Sequence, residues 1–238
     1  AGKTTIFRVV LGFLQPTSGE VRVNGERRSR RNALIGYVPQ KIAFDPDLPL
    51  RARDVVGLGI EGAHVGFARL QKRERANIVD AMLEAVEAQH FADTRIGRLS
   101  GGEQQRILIA HALAANPKIL ILDEPFANLD IASEQGVIEV LHRIVKDQRI
   151  GVLLSTHDMN PLLSVMDRVV YLAGGRSASG SVEEIVRPEV LTRLYGHHVD
   201  VVRIHDRVIV VAGANPGAAT PVPLHEHSGT GEKSVLDH

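Results

Sequence analysis

Apolar and polar residues recur along this chain in two periods, and the switches between them mark out its elements. Thr4 to Leu14 carries Ile6, Val9, Val10, Phe13 and Leu14 at a spacing that predicts a helix with those residues on one buried face. PTSG, from Pro16, then turns the chain. Glu20 to Gly25, EVRVNG, alternates and closes on Asn-Gly, which predicts a strand entering a turn. Ala33 to Gln40, ALIGYVPQ, predicts a second short strand, stopped by Pro39. Between Leu70 and His90 the pattern is helical again, with Ile78, Met82, Leu83 and Val86 striping a polar helix. A further helix is predicted from near Ser100. KILILDEP, from Lys118, then reads as a strand apolar on both faces, of the sort buried in a parallel sheet.

GVLLS from Gly151 and RVVYL from Arg168 predict two more apolar strands separated by helical segments. Strand alternating with helix predicts a parallel α/β sheet, interrupted from Asp45 by a charged helical insertion. SVEEIV, from Ser181, carries a helix-start capping box in Ser181 and Glu184. VVRIHDRVIVV, Val201 to Val211, predicts a hairpin turning at His205-Asp206, and everything after Gly213 reads as a mobile tail. No internal repeat is visible.

Composition narrows the function classes. Lys plus Arg and Asp plus Glu both number 28, so no overall field steers the chain toward nucleic acid or acidic lipid. The four arginines of ERRSRRNA, from Glu26, read as a solvated loop between strands rather than a nucleic-acid patch. Cysteine is absent, which removes disulfide frameworks and thiolate metal sites. No apolar run approaches the ~20 residues needed to span a bilayer. IFRVVLGFL, from Ile6, mimics the apolar part of a secretory signal, but Arg8 interrupts it and no A-x-A cleavage pattern follows.

Candidate chemistry lies in four places. AGKTT, at Ala1, contains Gly-Lys-Thr, the closing part of the phosphate-binding pattern G-x-x-x-x-G-K-[ST] without its opening glycines. LSGGEQQR, Leu99 to Arg106, sets a hydroxyl and bare backbone amides at a helix N-terminus, where unpaired N–H groups bind anions; its plainer reading is a linker opening on an ordinary Ser cap. ILILDEP, Ile119 to Pro125, ends a buried strand on two acids at the rim where α/β sheets bind ligands. There Asp123 is placed to hold hydrated Mg²⁺ and Glu124 to orient or deprotonate a water, although paired acids at a strand end are often surface turn residues. STHD, from Ser155, brings His157 to the same rim. A lone histidine there is more often structural, but with GKT and DE it completes a phosphoryl-transfer constellation.

In this order the motifs resemble the ATP-binding subunit of an ABC transporter over nearly all of residues 1 to 180. The resemblance implies a P-loop NTPase, RecA-like α/β core with an inserted helical subdomain, and ATP with Mg²⁺ as its nucleotide and cofactor. Gly2, Lys3, Thr4 and Thr5 would then belong to the phosphate loop, with Lys3 on phosphate and Thr4 on Mg²⁺. Gln40 would touch Mg²⁺ and sense the membrane partner; Asp123 would also hold Mg²⁺. Glu124 would be the catalytic base and His157 the switch histidine. Ser100, Gly101 and Gly102 would meet the ATP of a second copy in a head-to-tail dimer, with Asp130 of ANLD also at the nucleotide interface. The implied divisions are 1–44 and 116–180 for the ATPase core, 45–115 for the helical subdomain, 181–212 for a C-terminal appendage and 213–238 for the tail.

Glu103 stands where the family more often has glutamine, a change expected to be mild. The incomplete phosphate loop implies missing N-terminal strands, so the chain as written is expected to bind ATP poorly or not at all, while a full-length parent would hydrolyse it. GYVPQ, LDEPFANLD, THDMN and the run from Leu194 are similar to ATPases of zinc and manganese importers. That implies a peripheral subunit on the cytoplasmic face of the cell membrane, bound to permease subunits, served indirectly by an extracytoplasmic solute-binding protein, and without a nucleic-acid partner. Six of the 11 histidines follow residue 196, and HEH at 225–227 would hold a metal weakly or be incidental. The alternatives are a non-catalytic ABC fragment and a non-transport ABC ATPase of repair or translation. Only 58 residues separate Gln40 from Leu99, too few for the long coiled coil of the repair members.

Overall fold

The computed structural model describes residues 2–23, 25–27, 34–40, 42–63, 71–173, 176–204 and 207–212. Its centre is a parallel sheet in the order β3 (Ile35–Val38), β4 (Ile119–Asp123), β5 (Gly151–Ser155). β4 lies in the middle, with Val38 opposite Leu122 on one side and Asp123 opposite Ser155 on the other. Leu120, Ile121 and Leu122 are all fully buried, as the unbroken apolar run of this strand requires. Successive side chains point to opposite faces, so the strand serves two cores at once.

On one face Ile121 packs against Phe7 and Leu11 at the helix α1 (Lys3–Val10). This corrects the predicted buried face of that helix. Ile6, Phe13 and Leu14 are exposed, while Phe7 and Leu11 carry the contact. Gly12, at φ 78°, ends the helix after Leu11, so Phe13 and Leu14 leave the helical register.

On the other face Val38, Leu120 and Leu122 enter a large core. It is built with α2 (Ala52–Ala63), α3 (Lys72–Ala85), α4 (Gly101–Leu113) and α5 (Ile131–Gln148). α4 is buried on most of its surface, with Ile107, Leu108, Ile109, Ala110, Ala112 and Leu113 all inside. The stripe predicted on α3 is present, with Leu83 and Val86 buried and Ile78 and Met82 partly so, and Val79 joins it. α2 crosses α4 at Gly59, where an added Cβ would stand 2.0 Å from the His111 carbonyl oxygen, so only glycine permits that approach.

The predicted strand at Arg168 does not extend the parallel sheet. β6 (Arg168–Ala173) instead pairs antiparallel with β7 (Arg176–Ser181) as a separate hairpin. Its burial alternates, Val169 buried and Val170 58% exposed, which is the pattern of a strand with one wet face. The capping box then opens α6 (Val182–Ile185): Ser181 N–H donates to Glu184 at 2.9 Å, and Glu184 N–H to Ser181 Oγ at 3.2 Å. α7 (Pro188–Tyr195) leads to the predicted hairpin, β8 (Val199–Ile204) against β9 (Arg207–Ala212). Leu163, Val169, Ile185, Val186, Leu191 and Val199 form a second, smaller core there.

EVRVNG folds as β1 (Arg22–Val23), which turns back onto β2 (Glu26–Arg27). Outside the described residues lie Ala1, Asn24, most of the arginine-rich stretch (28–33), the turn at His205-Asp206, and the tail 213–238 with its HEH. Among the described residues, no helix is long and apolar enough to cross a membrane.

Candidate active site

The carboxyl ends of β4 and β5 meet the N-terminus of α1, and the chemistry-bearing residues gather at that junction. Asp123 is the last residue of β4 and is 3% exposed. Pairing in register sets Ser155 beside it, and the Ser155 hydroxyl donates to Asp123 Oδ1 at 2.6 Å. The same Ser155 oxygen accepts the backbone N–H of Glu124 at 3.0 Å. Glu124 sits at φ 49°, a left-handed conformation unfavourable for a glutamate, and this bond helps to hold it there.

So placed, the Glu124 carboxylate collects three partners. Its Oε1 lies 3.3 Å from Lys3 Nζ and 2.6 Å from His157 Nε2, and its Oε2 accepts from Gln40 Nε2 at 2.5 Å. Lys3 also donates to the Thr156 carbonyl at 2.9 Å and faces His157 Nδ1 at 3.5 Å. An ammonium only donates, so these partners fit a neutral imidazole that accepts at Nδ1 and donates to Glu124 from Nε2. The loop holding His157 is pinned on either side. Asp158 N–H donates to Thr156 Oγ1 at 3.1 Å, and Asn160 N–H to Asp158 Oδ1 at 2.9 Å. Asn160 Oδ1 in turn accepts the Val210 N–H of β9 at 2.9 Å, tying this loop to the C-terminal hairpin.

At the start of α1, Gly2 has φ 99° and no side chain caps the helix, while Thr4 and Thr5 are exposed in the first turn. Uncapped N–H groups with a lysine among them suit a phosphate. The Thr4 hydroxyl, the Gln40 amide oxygen and the Asp123 carboxylate are hard oxygen donors of the kind Mg²⁺ takes. Among the described residues no group of three or more His, Cys, Asp or Glu side chains is set to hold a metal ion. The oxygen donors and the uncapped helix start fit magnesium and a nucleotide.

Ser100, Gly101, Gly102 and Asp130 form a separate group. Ser100 caps α4 and Asp130 caps α5. The two helix starts pack together, because a Cβ on Gly102 would come within 2.9 Å of Ser133 and one on Gly101 within 3.2 Å of Leu129. Asp130 accepts from Ser133 N–H at 2.8 Å and from its hydroxyl at 3.0 Å, and those bonds hold its carboxyl below the usual range. Among the described residues, no hydrogen bond or ion pair joins this group to the Lys3–Glu124 cluster. Sequence reasoning missed Ser155 and Thr156, although both stand in the STHD stretch that pointed to His157.

Comparison with known proteins bears on this arrangement. A family model described as ABC transporter matches residues 1–127. The manganese transport system ATP-binding protein MntA of Synechocystis sp. is 34% identical over 198 residues, covering 82% of this chain and 75% of that protein. The zinc transport system ATP-binding protein TroB of Treponema pallidum is 36% identical over 199 residues, covering 84% and 74%. Among solved structures, the dimeric post-hydrolysis state of the ATP-binding cassette MJ0796 bound to ADP and Pi superposes with a TM-score of 0.63 at 28% identity, over 76% of this chain and 81% of that one. With its phosphate-suited helix start, its acid-ended central strand and these relatives, the chain belongs to the ABC transporter family, as one of its nucleotide-binding domains.

Proposed function

We propose that this protein hydrolyses Mg²⁺-ATP to drive import of a divalent metal, zinc or manganese. The observation that carries the catalytic part is the convergence of Lys3, Gln40 and His157 on the Glu124 carboxylate. Lys3 exchanges Glu124 for phosphate oxygens when nucleotide occupies the start of α1. Glu124, relieved of that ammonium, accepts the proton of the attacking water, and His157 holds the carboxylate in place. Thr4, Gln40 and Asp123 would hold magnesium bound with the nucleotide, which would neutralise phosphate charge.

The cargo reading rests on the names of the two relatives, a manganese and a zinc transport protein. We place Ser100, Gly101, Gly102 and Asp130 against the nucleotide of a second copy in a head-to-tail dimer. Residues 45–115 act as the helical subdomain that passes the motion to permease subunits at the cytoplasmic membrane face, with a solute-binding protein delivering cargo outside.

Replacing Glu124 by glutamine tests this. ATP turnover falls by about 10²–10⁴-fold, the usual contribution of a general base, while light scattering with Mg-ATP registers a trapped dimer. Undiminished turnover in that variant overturns the assignment. ATP-driven uptake of zinc or manganese into vesicles by the assembled transporter tests the cargo, and uptake of neither refutes it.

A further inference from the structure

Glu103 does more at the start of α4 than close a capping box. Its Oε2 accepts two hydrogen bonds from Ser100, from the backbone N–H at 2.8 Å and from the hydroxyl at 2.8 Å. The Glu103 N–H donates back to Ser100 Oγ at 3.3 Å. A serine hydroxyl has one proton to give. While Glu103 takes it, Ser100 has none for a phosphate oxygen, and its N–H is engaged as well. The neighbouring helix start carries the reverse arrangement, with Asp130 at the N-cap and its carboxylate accepting the Ser133 N–H and hydroxyl. Each of these two helix starts thus holds a carboxylate of the chain itself.

We propose that Glu103 is an internal competitor for the phosphate that Ser100 meets, so that nucleotide-driven pairing of two copies has to displace it. The proposal rests on the reading that Ser100 faces the nucleotide of a second copy. Glu103 acts through Ser100 and is a positioning residue. Glu103 weakens pairing in two ways: its oxygen withholds the donors, and its charge repels an approaching phosphate across a few ångströms. At about 3 Å in a water-like dielectric the repulsion amounts to about tenfold in an equilibrium constant. Glutamine at the same position keeps the capping geometry, because a capping box accepts Glu or Gln at this place. The substitution therefore isolates the charge from the helix cap.

The test measures Mg-ATP-driven dimerisation by light scattering in protein carrying Glu124→Gln, with Glu103→Gln or Ser100→Ala added. Glu103→Gln is expected to tighten pairing about tenfold at low salt, with the gain fading at high salt as screening grows, while Ser100→Ala weakens it. If Ser100→Ala weakens pairing but Glu103→Gln leaves it unchanged or looser, the competitor role is overturned and the Ser100 reading stands. If Ser100→Ala leaves pairing intact, that reading fails and this inference with it. Should Glu103→Gln fold poorly by circular dichroism, Glu103→Ala asks the same question. It removes charge and cap together, and weaker pairing by the folded fraction would likewise overturn the proposal.

Discussion

Ser155 has one hydroxyl for two acids, giving its proton to the buried Asp123 and taking the N–H of Glu124. Changing it to alanine leaves a buried carboxylate without this donor and frees the left-handed turn at Glu124. The expected cost is about 1–3 kcal/mol in denaturant titration. Turnover is expected to fall about a hundredfold, the order that an ångström's misplacement of a catalytic group costs. This residue also shows where sequence reading stops. Lys3, Glu124 and His157 were singled out from motifs with a chemical reason and Gln40 from the family resemblance, and the structure brings the four side chains together. Ser155 was in plain sight but had no such pattern. Its role arises from strand register, which sets it opposite Asp123 from a different stretch of chain.

Among the elements, the α2–α4 crossing is held by a contact rather than by an apolar stripe. Gly59→Ala would drive a methyl against the His111 carbonyl, so α2 has to lift away, at an expected cost of about 1–3 kcal/mol in chemical denaturation. The same helix start-to-end run supplies a pH dependence. Burial pushes the His111 imidazole below its ordinary value of 6.5. The unfolded chain then takes up this proton near pH 6.5 and the folded one only at lower pH. Stability therefore falls as pH drops from about 6.5 toward the folded value, and this contribution is fully present above about 6.5. Stability curves of wild type and His111→Gln across that window should differ in slope, with the variant flatter. α1 shows the limit of periodicity at this scale. Ile6, Phe13 and Leu14 fit a helical face as well as Phe7 and Leu11 do, and the position of the sheet and the helix end at Gly12 choose between them.

Across the whole molecule the alternation of strand and helix was legible, yet it overcounted the parallel sheet by one strand. Apolar content alone does not separate a strand buried on both faces from β6, whose partner is its immediate neighbour in sequence. The C-terminal hairpin meets the active-site loop through Asn160, whose side chain holds the Val210 N–H. Asn160→Ala should speed amide exchange at Val210 by about tenfold, as expected for one lost hydrogen bond, while β4 amides stay protected. Exchange by mass spectrometry or NMR would check both halves of that statement.

α2, α3, α4 and α5 share one apolar core with a face of the sheet that carries Asp123. A substitution that loosens Leu83, far from any phosphate, therefore draws on the same reserve of stability as one beside Asp123. In a cell such a change would be met as fewer surviving copies cleared by proteases, each surviving copy still turning over ATP at its normal rate. Inherited losses of transport that map to α3 are thus to be sought in protein abundance before they are sought in the chemistry.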